Sequence, residues 1–388
     1  IQWPVSMELN GTTVNTTEAM ERTLRAMAAL ESQRIAETVK LIYMLLVPVM
    51  IIILLLAVVG NGIIVASAHR LQSPVSPYLR LCVSLAAADM WAATLLISGL
   101  VVNSLLPVMF GMHRKTKCFD ALLEILRMSG MLTSDLHLFA LAINQFIGTM
   151  WPLKYKMIVT SRRLRVLVFL LWTIPVAFTS TWFLYDPEDG LRHPTCTFAF
   201  YNRFPFRLTI FIVFMLPLVA TLVIYGIILQ HLLKAKAEFE ACTVADGSNR
   251  MVPPRKNHVN SRLKLVWTTL LILSTFSFSW GSCVCYFLVV CKDGCPLIYL
   301  KDIGFYAGLF FSSTVNILVM FKLAANPFIY TLRIRAIRKS VESFLYSLSG
   351  RRRNCHNITT TTNGHHLKKK ELLSATFTVV PDDHSSYV

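Results

Sequence analysis

From residue 41 to residue 330, long apolar runs alternate with short polar segments. Seven runs reach the roughly 20 residues that a helix needs to cross a bilayer. They are 41–66, 78–102, 118–146, 164–185, 207–232, 263–290 and 302–330. The third is the least pure, since it contains Glu124, Arg127 and Asp135. After the seventh, residues 333–348 place apolar and basic positions as an amphipathic, membrane-lying helix does. The pattern predicts an all-α membrane protein: a seven-transmembrane helix bundle (41–330) plus a short amphipathic eighth helix (331–348). An N-terminal tail (1–40) and a C-terminal tail (349–388) flank it.

Composition agrees. The chain is 54% hydrophobic and 15% charged, against roughly 25% charged in soluble domains. That excludes a water-soluble globule, an acidic disordered protein and a coiled coil. Yet 38 Lys and Arg oppose 21 Asp and Glu, a net charge of +17. Such a balance points to nucleic acid or to an anionic membrane face, and its distribution decides which. Segments 66–80, 147–165 and 230–265 and the tail after 330 hold 24 basic and 7 acidic residues. Segments 1–40, 103–120, 185–207 and 291–302 hold 12 and 11. Basic loops stay cytoplasmic. The chain is therefore expected as a multi-pass plasma-membrane protein with its N-terminus outside and no nucleic-acid partner.

Other features fit this orientation. Asn10 and Asn15 begin glycosylation sequons in the outside tail, whereas the Asn357 sequon falls inside and is expected to stay unmodified. With no apolar leader ahead of it, the first span is expected to translocate the tail itself; Met7 is a candidate start. Among the outside cysteines, Cys118 at the mouth of the third span and Cys196 in the second outer loop are placed to bridge. Cys291 and Cys295 are placed to close a small ring. Four cysteines allow other pairings as well.

Residues inside the spans carry a further pattern. Gly60-Asn61 lies in the first, Leu85-Ala86-Ala87-Ala88-Asp89 in the second, Trp172 in the fourth, and Pro217 with Tyr225 in the fifth. The sixth holds Phe276 and Trp280, and the seventh Asn326-Pro327-Phe328-Ile329-Tyr330. In this order and at these depths, the chain resembles a rhodopsin-like (class A) G-protein-coupled receptor. Trp151-Pro152-Leu153-Lys154-Tyr155 is similar to the second intracellular loop of amine, adenosine and cannabinoid-type receptors. Cys355, just past the eighth helix, is either a palmitoylation site or a plain tail cysteine.

The departures make it an atypical member. Where the family has Asp-Arg-Tyr, this chain has Asn144-Gln145-Phe146. The matching sixth-helix position holds Arg262 rather than an acid, so both halves of the family's resting ion pair are missing. In the family the second-helix Asp binds sodium. Here Asp89 and Ser134 fill their places, but the seventh helix supplies Lys322, four residues before Asn326 and on its face. An Asp89–Lys322 ion pair, shared with Asp135, is expected to replace sodium; the alternative sends Lys322 elsewhere. Lys322 is not a retinal lysine. That position is Met320, and two residues turn a helix by about 200°. Ser282 stands where the family has its sixth-helix proline, which predicts a weaker kink.

The half of the bundle nearer the outside is the default ligand cavity. An amine counter-ion position falls on Arg127, counting from Gln145, or on Ile125, counting from Cys118. Neither is an acid, so a typical biogenic amine is not the expected ligand. Arg127 either clamps a carboxylate or phosphate or pairs with Glu124 one turn earlier. Met128, Met131, Thr209, Trp280, Cys283, Phe287 and Asn316 are the other candidate walls. His113, Arg114, Lys115 and Lys117 form a basic first outer loop, steering an acidic ligand or simply solvated.

The resemblance implies a receptor that passes an extracellular ligand signal to a heterotrimeric G protein or arrestin. The basic inner loops also suit anionic lipid. Ser386-Tyr387-Val388 fits a PDZ ligand through Ser386 and Val388. Because of Gln145 and Arg262, a non-signalling scavenger receptor is the rival reading. A transporter is expected to show internal repeats and interrupted spans in matching halves, and neither is visible. No nucleophile–base set or metal-ligand spacing points to an enzyme or a cofactor.

Overall fold

The computed structural model describes residues 13–112, 117–245, 254–291, 296–298 and 304–348. The chain divides into two units, Ile1–Leu345 and Tyr346–Val388. In the second, 346–348 are described, as the end of a helix.

The helices are α1 (Thr13–Ser67), α2 (Pro77–Leu100), α3 (Cys118–Met150), α4 (Ser161–Tyr185) and α5 (Phe204–Ala245). Next comes α6, comprising Pro254–Phe276, a π turn at Ser277–Gly281 and Ser282–Val289; α7 (Phe305–Arg333) and α8 (Arg335–Leu348) follow. Val290–Cys291 pairs with Leu297–Ile298 in a two-residue ladder beyond α6. The architecture is an all-α seven-helix bundle with an eighth helix after it.

Three elements differ from the hydropathy pattern. The helix α1 is 55 residues long, reaching far into the predicted tail. Residues 13–40 lack Pro and Gly and are rich in Ala, Glu, Arg and Met, so nothing stops the helix. In α6 the missing proline does not leave a regular helix. A π turn, a common cause of kinks, lies immediately before Ser282, whose hydroxyl donates to the Phe278 carbonyl at 2.5 Å.

The third difference concerns α3. Among the described residues six helices are apolar and long enough to cross a membrane, and α3 is not one of them. It is nonetheless a full 33 residues long, with Ser134, Asp135, His137 and Asn144 buried. It packs against α2, α4 and α5, so its polar residues face protein rather than lipid.

Close packing fixes the remaining helices. A Cβ added at Gly60 would lie 2.8 Å from Pro327 Cγ, so the first glycine of the α1 motif lets α1 and α7 approach. Asn61 beside it donates to the Leu323 carbonyl at 3.1 Å. Ser76 caps α2 and Thr160 caps α4, each accepting a backbone N–H from the first turn. Helix α8 buries Ile337 and Ser340, and the Ser340 hydroxyl donates to the Ser67 carbonyl at the end of α1. Arg335, Arg338 and Lys339 remain exposed.

Candidate functional site

At one end of the bundle, the Cys118–Cys196 disulfide ties the second loop to the start of α3. Lys117 N–H donates to the Thr195 carbonyl beside it at 3.0 Å. The buried Asp189 carboxylate organises the same loop, accepting the backbone N–H groups of Gly190, Ala199 and Phe200 at 2.8–3.0 Å. Tyr201 is thereby brought over α3. Of the expected ring closed by Cys291 and Cys295, residues 292–295 lie outside the described residues, as do His113–Thr116.

Below this loop is a cavity of about 260 Å³. From α3 it takes Arg127, Met128 and Met131; from α6, Trp280, Cys283 and Phe287; from α7, Asn316. A second cavity of about 240 Å³ shares Leu96, Arg127, Asn316 and Met320 with it and adds Glu124 and Asp120. Thr209 lines neither: its hydroxyl donates to the Pro205 carbonyl at 2.8 Å, and Ile210 faces the first cavity instead. Of the two counter-ion alignments, Arg127 reaches the cavities, while Ile125 is buried with its carbonyl toward Thr179. Met320 lines both cavities and Lys322 neither, as the 200° turn between them requires.

Arg127 is engaged within the protein. Its Nε donates to Glu124 Oε2 at 2.9 Å and its Nη2 to Oε1 at 2.5 Å. The Tyr201 hydroxyl donates to the same Oε1 at 2.7 Å. Burial first, and the Glu124 carboxylate second, push the Tyr201 phenol well above its ordinary pKa, so it stays a donor. Arg207 holds the neighbouring wall. Its guanidinium donates to the carbonyls of Phe287 (2.5 Å), Val290 (2.7 Å) and Tyr201 (3.1 Å), and lies 4.3 Å from the Phe287 ring centroid. It thus caps the end of α6, where carbonyls lack helical partners.

Deeper, Asp89 is fully buried and accepts three hydrogen bonds: from Lys322 Nζ (2.8 Å), Ser134 Oγ (2.8 Å) and Asn326 Nδ2 (2.5 Å). Lys322 also lies 5.1 Å from the centroid of Phe276, which neighbours Trp280 at 6.4 Å. With Asp135 the sharing is through space only: the Lys322 charge acts on its carboxylate without a direct ion pair. Lys322 Nζ pairs with Asp89, and the buried Asp135 Oδ2 has no hydrogen-bond partner. Beside this core, Trp172 Nε1 donates to Ser84 Oγ (3.1 Å), which lies 2.8 Å from His137 Nε2. His137 Nδ1 is 2.8 Å from the Thr133 carbonyl, which assigns the ring proton to Nδ1.

At the far end, Gln145 Nε2 donates to Thr269 Oγ1 of α6 at 2.7 Å, and the Tyr78 hydroxyl lies 3.2 Å from the same oxygen. Both Gln145 and Thr269 are buried. A neutral bond therefore joins α3 to α6 where an ion pair is missing. Thr269 lies seven residues, or nearly two turns, after Arg262 and so on its face; that periodicity was the signal available for it. The Tyr155 hydroxyl donates to Asn144 Oδ1 at 2.9 Å, and Phe146 meets Trp151 edge-on at 5.8 Å. Tyr225 and Tyr330 are fully buried, and Pro217 lies inside the continuous α5 with its carbonyl taken by Thr221 Oγ1 at 2.7 Å.

Tyr201, Arg207, Thr269 and Met320 all belong to the site without having been singled out in the sequence as part of it. Asn10 and Asn15 (as side chains), Cys355, Ser386 and Val388 lie outside what is described. The family model of the 7 transmembrane receptor (rhodopsin family) matches residues 60–330 of this chain.

Proposed function

Because the chain belongs to the rhodopsin family of seven-transmembrane receptors, a family of multi-pass plasma-membrane proteins, we propose that it transduces an extracellular ligand signal by an atypical switch. The loop charges support an outside N-terminus, with the disulfide end facing out and the Gln145 end facing the cytoplasm. The ligand enters between the helices beneath the Cys118–Cys196 bridge. Trp280 carries its presence toward Phe276 and the Asp89–Lys322 pair.

The observation that carries this reading is the Gln145–Thr269 bond. Closing α3 against α6 needs a contact that is made in one state and lost in the other, and a buried neutral pair supplies one without charge. The partner on the basic cytoplasmic face is a heterotrimeric G protein or arrestin. Anionic lipid lies against α8, Cys355 carries a palmitoyl chain, the Ser386–Val388 end meets a PDZ domain, and Asn10 and Asn15 carry glycans.

The test expresses the full chain with representatives of each G-protein family and with arrestin, recording basal and ligand-driven responses. Responses that change in the Thr269→Val variant support the proposal. Silence in every assay, relieved only by Gln145→Arg, would replace it with the scavenger reading.

A further inference from the structure

The charges around the cavity cancel before any ligand arrives. Glu124 and Arg127 are joined by two hydrogen bonds at 2.9 and 2.5 Å, and Tyr201 occupies Oε1 of the carboxylate again at 2.7 Å. The guanidinium therefore presents no uncompensated positive charge, and the carboxylate no free negative one. An anionic ligand drawn to Arg127 would have to displace Glu124 and strand its carboxylate in a part-buried setting. A cationic ligand drawn to Glu124 would strand Arg127. Either exchange leaves one member of a part-buried pair without its partner, a cost set against any charged ligand.

The rest of the wall is mainly apolar: Met128, Met131, Ile210, Phe214, Val319 and Met320 surround the space, with the Asn316 amide as a polar exception. Its volume of about 260 Å³ sits just under the roughly 300–1,000 Å³ typical of small-molecule sites. Among the buried polar groups there, one is unanswered. Trp280 is 3% exposed, lines this cavity, and its Nε1–H has no hydrogen-bond partner among the described residues. An indole N–H only donates, so its complement is an acceptor oxygen.

From these observations we infer that the cavity is built for an uncharged, mainly apolar small molecule whose acceptor oxygen, a carbonyl or an ester, is hydrogen-bonded by Trp280 Nε1. This rests on the reading of the cavity as the ligand site and narrows it. The Arg127–Glu124 pair acts as a filter against ions rather than as a clamp for one.

The test uses the full chain in lipid nanodiscs and probes that share one body: methyl 4-phenylbutanoate, 4-phenylbutanoate, 4-phenylbutylamine and butylbenzene. Cys283 lines the cavity and is a free thiol, so occupancy is read as protection of Cys283 from N-ethylmaleimide, located by peptide mass spectrometry. The ester is expected to protect at about tenfold lower concentration than the acid or the amine, and about fivefold lower than butylbenzene, the worth of one hydrogen bond.

Trp280→Phe is expected to abolish the advantage of the ester over butylbenzene. Glu124→Gln, which leaves the Arg127 charge uncompensated, is expected to move the preference to 4-phenylbutanoate. If Glu124→Gln does not fold, Trp280→Phe alone decides. The inference is overturned if either charged probe protects the wild type better than the ester, if no probe protects at millimolar concentration, or if Trp280→Phe keeps the ester's advantage. Signalling is measured separately. Ester-selective protection without any G-protein or arrestin response would sink the proposed function and leave the ligand class standing.

Discussion

The Lys322 ammonium lies 2.8 Å from Asp89 Oδ1, with the two side chains 1% and 0% exposed. Ser134 and Asn326 donate to the same carboxylate. Helix α7 thus brings its own cation to the place where family members hold a sodium ion, and ties itself to α2 in doing so. Removing one partner of a buried ion pair leaves the other charge stranded at about 3–5 kcal/mol. Lys322→Met is therefore expected to lower the thermal unfolding midpoint sharply in detergent, while Asp89→Asn with Lys322→Met costs less than the two single changes combined. Exchanging choline chloride for sodium chloride leaves the wild-type midpoint unchanged. A sodium-dependent shift in the wild type would contradict the tethered cation.

The Gln145–Thr269 bond makes a second expectation. Thr269→Val keeps the shape and removes the acceptor, leaving the Gln145 amide buried without it. A net loss of about 1 kcal/mol changes the ratio of closed to open states roughly fivefold. Basal signalling is expected to rise by that order, and Thr269→Ser to restore it. Basal output equal in wild type and Thr269→Val would remove this bond from the switch.

Gly60 and Gly62 offer a paired comparison. A Cβ at Gly60 meets Pro327 Cγ at 2.8 Å, whereas one at Gly62 meets only Met90 Sδ, the end of a flexible chain, at 3.4 Å. Gly60→Ala is expected to cost about 1–3 kcal/mol by overpacking, and Gly62→Ala close to nothing. Equal unfolding midpoints for the two variants would show that α1 and α7 have room to separate.

Arg207 joins α5 to the end of α6 through the carbonyls of Phe287 and Val290. Lysine lacks the planar fork that reaches several carbonyls and stacks on Phe287. In Arg207→Lys the last turn of α6 is expected to loosen. Alkylation of Cys283, four residues before Phe287, then becomes several-fold faster, as a timed N-ethylmaleimide reaction would record. An unchanged rate would show that Arg207 does not hold the last turn of α6.

The spans were legible because each is a long apolar run, and the family because its motifs sit at fixed depths in those runs. Lys322 beside Asp89 was legible too, since four residues place Lys322 on the face of Asn326 and the resemblance puts Asp89 at the acidic position of the second helix. Thr269 escaped notice because its one signal, the helix face it shares with Arg262, does not say that Gln145 reaches two turns along that face. Thr209 was misplaced for the reverse reason: a polar residue on α5 spends its hydroxyl on its own helix. The extension of α1 through residues 13–40 was hidden because a polar segment reads as a tail, although its lack of Pro and Gly let the helix continue.

By itself the sequence determined the bundle, its helices and the charges standing out of their usual places, because hydrophobic length and local spacing are properties of the chain alone. What those charges do follows from how the helices pack. Whether Arg127 waits for a ligand or is already neutralised depends on Tyr201, brought over α3 by a loop some 70 residues away in sequence. Whether the missing ion pair leaves a gap depends on Thr269 meeting Gln145 across two helices. A charge in a membrane protein acquires its meaning from the partner it is buried against, and that partner is chosen by the packing of the helices.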